Sequence, residues 1–483
     1  MIVTRRPYIP RAYQPLGTAH VIEHPRCALW VPMGMGKGVM VLTALDHLSL
    51  TEDVFPALVV GPLRVARDVW PQETEKWEHL SHLQCVPIIG TSEERLRALK
   101  TESPIYSINY ENIAWLLEYW TVDRWPYKTI IADESTKLKG YRGSFRTSTT
   151  GKQFLQGAGG VRARALGKVA HSKVTRFIEL TGTPAPNGLK DLWGQLWYLD
   201  AGERLGRVHE GFTKRWFRPK YDGYGTDPLP GADKEIHDRV ADLCFALDAK
   251  DWFDLKAPIV NNIYVDLPPD ARKFYREMEN DMFTQIAEYT VEAFGAAART
   301  QKCLQLANGA VYVDQTVKMD SDPKARAWKA VHIAKLEALD SIIEEAAGAA
   351  VIVSYEFRSD LARLTKAYPQ AVDLSTTPGM KAFKTGAAQI GLGHPSSVGH
   401  GVDGLQEVCN TIIFFGHNWN LETYDQIIGR VGEIRQFQSN FDRPVFIHHI
   451  IARDTVDELV MERRDGKREV QDILLDAMKR RNA

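Results

Sequence analysis

The chain has 483 residues, with 60 Lys and Arg set against 61 Asp and Glu and a formal net charge of −1. At 44% hydrophobic, 25% charged and 10% aromatic, its composition is that of a globular protein and excludes wholesale disorder. Neutrality excludes a histone-like polycation, but net charge says nothing about a local basic surface.

At about 150 residues per domain, the length predicts two to four domains. Five cysteines (Cys27, Cys85, Cys244, Cys303 and Cys409) show no CxxC or Cys/His spacing, which predicts reduced thiols and no structural zinc. Residues 1–14 carry Arg5, Arg6 and Arg11 without an apolar core, so no signal peptide is expected. No apolar run approaches the roughly 18 residues of a membrane span. The expected setting is cytoplasmic, in a bacterial or phage-infected host cell, with no membrane partner.

Short β-branched runs at 28–31, 57–61, 104–108, 129–132 and 177–181 read as buried parallel strands. Helical periodicity fills 38–50, 64–80, 93–99 and 113–119 between them. Alternation of this kind predicts a doubly wound α/β domain. The stretch 221–231 reads as a loop and 270–308 as helix. A second strand set, at 350–355, 388–392, 410–415 and 444–451, again alternates with helices, and a long amphipathic helix is expected over 455–481. The fold class is therefore α/β. The first domain spans 1–205, a mainly helical insertion 206–325, and a second α/β domain 326–483.

The first strand runs into Met33, Gly34, Met35, Gly36, Lys37 and Gly38. Strand, glycine loop and helix in that order form a phosphate cradle. Glycines let backbone N–H groups turn inward, and the helix N-terminus adds its positive end. Lys37 would place a point charge on the β/γ-phosphates. The usual loop has Ser or Thr after the Lys, to ligate Mg²⁺ through its hydroxyl. Gly38 stands there instead, so either a downstream carboxylate and water hold the metal or hydrolysis is impaired.

The fourth run ends in Asp133 and Glu134, followed by Ser135 and Thr136. Carboxylates at the C-terminal edge of a parallel strand lie where α/β sheets bind ligands. Asp133 suits a Mg²⁺ ligand and Glu134 the polarisation of an attacking water. The same residues also suit a helix N-cap. The fifth run ends in Thr181, Gly182, Thr183 and Pro184, a tight loop able to sense the phosphate end of the site.

With these three motifs in order, the chain resembles the superfamily-two helicases, and most closely their Swi/Snf-type branch in a compact, phage-like form. The likeness covers most of the chain. Ala12, Tyr13 and Gln14 resemble the adenine-reading glutamine motif. Gly61, Pro62 and Leu63, with Trp70 and Trp77, resemble the segment after the branch's second strand. Ile108, Asn109, Tyr110 and Glu111 resemble a nucleic-acid-contact motif. The run 351–355 resembles the opening strand of the second motor domain. Residues 395–406, with Gly399 and Gly401, resemble the motif coupling DNA to ATP, in which Thr181, Gly182 and Thr183 also take part. Gln426, Arg430 and Arg435 resemble the arginine-finger motif, and 454–458 the element before the branch's last helix.

The resemblance implies two RecA-like halves that bring Lys37, Asp133 and Glu134 against Arg430 and Arg435, with ATP and Mg²⁺ as cofactors. It implies sequence-nonspecific movement on duplex or branched DNA. Three positions depart from the pattern: Gly38; Glu433, where a second arginine is usual, with Arg435 two residues beyond; and Asp403–Gly404, in place of Asn-Leu. An RNA or branched-DNA helicase of the same superfamily, or a nucleotide-binding DNA-binding protein with impaired hydrolysis, are the alternatives.

Charge placement fits a polyanion track. Residues 137–176 hold ten basic side chains and no acidic one. Within this stretch Arg142, Arg146, Arg162 and Arg164, in a flexible Gly/Ser/Thr-rich insertion, are candidate DNA contacts together with Asn109.

Overall fold

The computed structural model describes residues 5–147, 153–219, 226–281, 283–286, 289–292, 296–313, 327–399 and 401–466. They divide into two compact units, one up to Phe253 and the other Asp254–Gly466.

The first unit is built on seven strands: β1 Arg26–Trp30, β2 Ala57–Gly61, β3 Cys85–Pro87, β4 Ile105–Asn109, β5 Thr129–Asp133, β6 Arg176–Thr181 and β7 Cys244–Ala246. Their order is β7-β1-β6-β5-β2-β4-β3, and every pairing is parallel. Both faces are covered. Ala28, Trp30, Leu58 and Ile130 sit in one core, while Cys27, Leu29, Val59 and Ile131 are buried on the other side. That double burial explains the continuous apolar runs. The helices that matter for the site are α1 Gln14–Glu23, α2 Lys37–Leu48, α3 Trp70–Lys76, α4 Val161–Ala170 and α5 Lys190–Asp200. The helix expected over 64–80 is interrupted. A π-helical turn, Val65–Val69, precedes α3, where Pro71 brings no N–H to the ladder.

The second unit has a six-stranded, all-parallel sheet: β8 Ile259–Val265, β9 Ala350–Ser354, β10 Val372–Asp373, β11 Ile390–Gly393, β12 Cys409–Phe414 and β13 Phe446–Ala452, in the order β8-β13-β12-β9-β11-β10. Alternate residues face different cores: Ile352, Ile412 and Ile447 lie in one, and Val351, Val353, Ile413 and Ile450 in the other. Its helices include α6 Ala296–Asn308, α7 Ala334–Glu345, α8 Leu421–Ile428 and α9 Glu433–Gln438.

The stretch expected as a separate helical insertion, 206–325, instead lends an edge strand to each sheet. β7 pairs with β1, and β8 pairs with β13 over seven residues. These strands were hidden because β7 is three residues long and β8 interrupts its apolar pattern with Asn261 and Asn262. The expected continuous helix over 270–308 is also corrected. Helix Pro269–Asp281 and α6 are separated by an antiparallel pair, Phe283–Ile286 with Tyr289–Glu292. Thr284, Thr290 and Val291 are β-branched and favour extended backbone over helix. In the expected loop 221–231, Thr226–Pro228 pairs with Phe217–Pro219, and 221–225 lie outside the described residues. The expected flexible insertion forms an antiparallel ribbon, Arg142–Thr147 with Gln153–Ala158. The closing helix is seen over 456–466, and its expected extension to 481 lies outside the described residues.

One buried group in the first sheet is out of keeping with its surroundings. Glu179 of β6 pairs with Ala28 and Ala132, is fully buried, and neither carboxylate oxygen has a hydrogen-bond partner among the described residues. Burial, and secondarily Asp200, pushes its carboxyl well above the usual range. The unfolded carboxyl ionises at its ordinary pKa, whereas the folded one keeps its proton to higher pH. Stability is therefore lost as pH rises above the ordinary carboxylate range. Glu179→Leu is expected to add about 1–3 kcal/mol at pH 8, with the gain shrinking as pH falls towards that range, read by urea unfolding at both ends.

Candidate functional site

The carboxyl ends of neighbouring strands bring the predicted first-unit residues together. Trp30 pairs with Thr181, and Asp133 with Leu180. From β1 the chain enters the glycine loop. Gly34 and Gly36 have φ of 85° and 82°, in the left-handed region that glycine tolerates. Helix α2 starts at Lys37, and Gly36 at its N-cap offers no side-chain cap, so the helix's first amides face the loop. The Lys37 ammonium donates to Val31 O at 2.6 Å and Pro32 O at 3.4 Å. Met35 is buried, while Met33 and Gly34 are partly exposed.

Gln14 is tied to this loop. Its Nε2 donates to Met35 O at 3.5 Å, and its Oε1 accepts from Arg11 N at 2.9 Å. A Cβ at Gly36 would stand 2.4 Å from that Nε2, so glycine is required there both for φ and for space. Gly182 lies against the loop from the other side, where a Cβ would stand 3.5 Å from Met33 N. Thr181 Oγ1 accepts from Thr183 N at 3.0 Å, which sets the turn.

The acid pair is held from several directions. Asp133 Oδ2 accepts from Trp70 Nε1 of α3 at 2.9 Å, and Asp133 Oδ1 from Glu134 N at 3.1 Å. Glu134 has φ 56° and ψ 58°, a strained conformation for a residue with a Cβ. The buried Tyr110 hydroxyl fixes it by donating to Asp133 O at 3.0 Å. Two residues here carry no signal of their own in the sequence: Trp70 stands only within a longer motif segment, and Gln195 in none. Gln195, on α5 and buried, accepts from Ser135 Oγ at 2.9 Å and donates to Pro184 O at 2.8 Å. One side chain thus joins the acid-pair loop to the Thr181–Pro184 loop.

Whether these residues suit Mg²⁺ turns on their oxygens. Gly38 supplies none, but a Cβ there would meet Glu73 Cγ at 3.4 Å and Cδ at 3.9 Å. Asp133 and Glu73 are hard oxygen donors of the kind Mg²⁺ takes together with water and phosphate. Among the described residues no three His, Cys, Asp or Glu side chains converge as a protein-only metal cage. The set therefore fits a metal held largely through a nucleotide.

In the second unit, Gly399, Gly401, Gln426, Arg430 and Arg435 also lie together. A Cβ at Gly399 would stand 3.0 Å from Gln426 Cβ, so glycine lets the loop approach α8. Gln426 is buried, and its Nε2 donates to Glu422 Oε1 at 3.3 Å. Gly401 has φ 64°. Arg430 is buried, and its guanidinium is turned onto this unit's own backbone, with Nε to Gly399 O at 3.0 Å and Nη1 to Val402 O at 2.9 Å. Arg435, on α9, forms an ion pair with Asp403. Two departures from the family pattern are thus physical partners. Glu433, from the same departure as Arg435, opens α9, where an acid favours the helix N-terminus.

Among the DNA candidates, Asn109 donates through Nδ2 to Glu111 Oε2 at 2.8 Å, and Arg162 on α4 donates to Glu111 Oε1 at 3.1 Å. Asn109 is buried, whereas Arg162 and Arg164 are exposed. Arg142 is half-buried and donates to Lys139 O and Tyr141 O, both at 2.7 Å, so its charge is turned onto local backbone. The Arg146 side chain lies outside the described residues. No helix among the described residues is long and apolar enough to cross a membrane.

No family model matches the chain. It is 45% identical over 481 residues to putative protein p41 of Acyrthosiphon pisum secondary endosymbiont phage 1, covering 98% of this chain and 99% of that one. It is 28% identical over 198 residues to the helicase swr1 of Aspergillus fumigatus, covering 38% of this chain and only 10% of that protein. The Sulfolobus solfataricus SWI2/SNF2 ATPase core, solved in complex with dsDNA, aligns over 99% of this chain and 95% of that one, at 19% identity and a TM-score of 0.44. The chain shares a family with its full-length phage relative p41, and is similar to the Swi/Snf-type ATPases of helicase superfamily two.

Proposed function

We propose that the protein hydrolyses ATP to move on duplex or branched DNA without sequence preference. One observation carries this reading: the Lys37 loop, the Asp133–Glu134 pair and the Thr181–Thr183 turn share one sheet edge. Lys37 would leave its carbonyl partners for the β/γ-phosphates, and Gln14 would read the adenine. Asp133, oriented by Trp70, would hold Mg²⁺, which when bound with the nucleotide neutralises charge developing on the phosphoryl oxygens. Glu134 would polarise the attacking water. The Aspergillus relative is named a helicase, in keeping with a nucleic-acid track.

A second reading, a nucleotide-dependent DNA-binding protein that does not turn over, is favoured by the Arg430 guanidinium. Its hydrogen bonds include those to the Gly399 and Val402 carbonyls of its own unit. ATP hydrolysis measured with and without duplex DNA separates the two. Duplex-stimulated turnover supports the motor, and DNA binding without turnover supports the second reading.

The DNA surface is proposed along the exposed side of α4. Arg162→Ala with Arg164→Ala is expected to weaken duplex binding and to lower the slope of log affinity against log salt by about 2. Fluorescence anisotropy across a salt series reads it, and an unchanged slope would place the track elsewhere.

A further inference from the structure

We infer that Glu73 replaces the hydroxyl missing at position 38, as a positioning residue that orients the water shell of the nucleotide's Mg²⁺. The inference rests on the ATP-binding reading above.

The space a Ser or Thr side chain would occupy at Gly38 is bounded by Glu73, with Cγ 3.4 Å and Cδ 3.9 Å from the position of a Cβ. Those distances are ordinary contact. The carboxylate therefore reaches the region where a hydroxyl on residue 38 would point. It is also oriented, because Glu73 Oε1 accepts from Trp77 Nε1 at 2.9 Å, and Lys76 Nζ lies 3.8 Å from Oε2. Its side chain keeps 20% of its surface exposed, so the approach from the loop is not sealed.

The same short helix reaches the other metal-side group. Trp70, one turn before Glu73, donates to Asp133 Oδ2 at 2.9 Å. Helix α3 thus touches both places where a P-loop enzyme needs an oxygen: the residue after the lysine and the first acid. Mg²⁺ dehydrates reluctantly and usually keeps several waters, so a carboxylate set back from the metal can do through water what a hydroxyl does directly. Partners that orient metal-bound groups commonly govern metal affinity by 10–100-fold.

The test is the Mg²⁺ concentration giving half-maximal binding of a fluorescent mant-ATP to the full chain. Glu73→Gln is expected to raise that concentration about tenfold, without weakening the Mg²⁺-free binding of nucleotide. Glu75→Gln, which removes the same charge from the exposed side of the same helix, is expected to leave it unchanged. Gly38→Thr in the Glu73→Gln background is expected to restore it, which a purely structural role for Glu73 would not allow. Should Glu73→Gln fail to fold, Glu73→Asp, which keeps the charge but retracts it by one methylene, is expected to give a smaller rise in the same direction. An unchanged Mg²⁺ requirement in the glutamine or aspartate variant, with normal nucleotide binding, overturns the inference alone. Absence of Mg²⁺-dependent mant-ATP binding in the unaltered protein overturns the ATP reading and this inference together.

Discussion

Lys37→Ala is expected to lower ATP turnover by at least about 10²-fold, the scale seen when one preorganised group facing developing charge is removed. Lys37 opens α2, and its ammonium reaches back to Val31 O and Pro32 O. Without nucleotide it satisfies two loop carbonyls. With nucleotide bound as proposed, the same reach would place a charge on the phosphates beside the left-handed turns of Gly34 and Gly36. The position is only partly buried, so water can replace the ammonium on those carbonyls and the fold should survive. Losing a grip that acts on the bound nucleotide and more strongly on the transition state raises KM and lowers kcat, so both should change. Lys37→Arg is not expected to rescue, because a planar guanidinium does not fit where a compact ammonium does. Steady-state kinetics beside an unchanged melting curve would establish the effect. Turnover equal to the unaltered protein would remove the loop from the chemistry.

Lys335→Met is expected to cost about 3–5 kcal/mol of stability in the second unit, through the charge it leaves behind. Lys335 near the start of α7 and Asp457 after β13 are both wholly buried, with Nζ 2.6 Å from Asp457 Oδ2. The ammonium also donates to Asn308 Oδ1 at 2.8 Å and to Phe415 O at 3.2 Å. Asn308 in turn donates to Asp360 Oδ2 at 2.9 Å, and Arg363 donates to Asn308 O at 2.6 Å. The pair therefore ties α6, α7 and the ends of β12 and β13 into one network. Methionine fills much of the volume but leaves Asp457 and the amide without a cation. Lys335→Met with Asp457→Leu should recover most of the loss, because removing both charges also removes the desolvation penalty. Urea unfolding of both single variants and the double variant gives the coupling. A loss below 1 kcal/mol in the single variant would contradict the argument.

The sequence revealed what is contiguous. The glycine loop, the acid pair and the Thr181–Pro184 turn each sit at the end of an apolar run, and strand spacing alone predicts that they meet at one sheet edge. What it concealed lies between elements. The Trp70 indole on Asp133, Glu73 beside Gly38 and Gln195 between two loops depend on helix placement, which no spacing encodes. Arg430 illustrates the limit from the other side. Its motif was readable, but not that its donors turn onto Gly399 and Val402. The strands β7 and β8 were missed for a different reason. β7 is only three residues long, and β8 breaks its apolar run with Asn261 and Asn262.

The Gln195 amide has a mechanical consequence. The acid-pair loop and the Thr181–Pro184 loop are both gripped by one rigid group planted on α5, with Ser135 at its oxygen and Pro184 at its nitrogen. A planar amide cannot turn towards one neighbour without turning away from the other. Displacement of either loop by phosphate would therefore be passed to its neighbour as a rotation of a single side chain. Loosening α5 would release both grips together, so the two loops should behave as one cooperative piece rather than as two hinges.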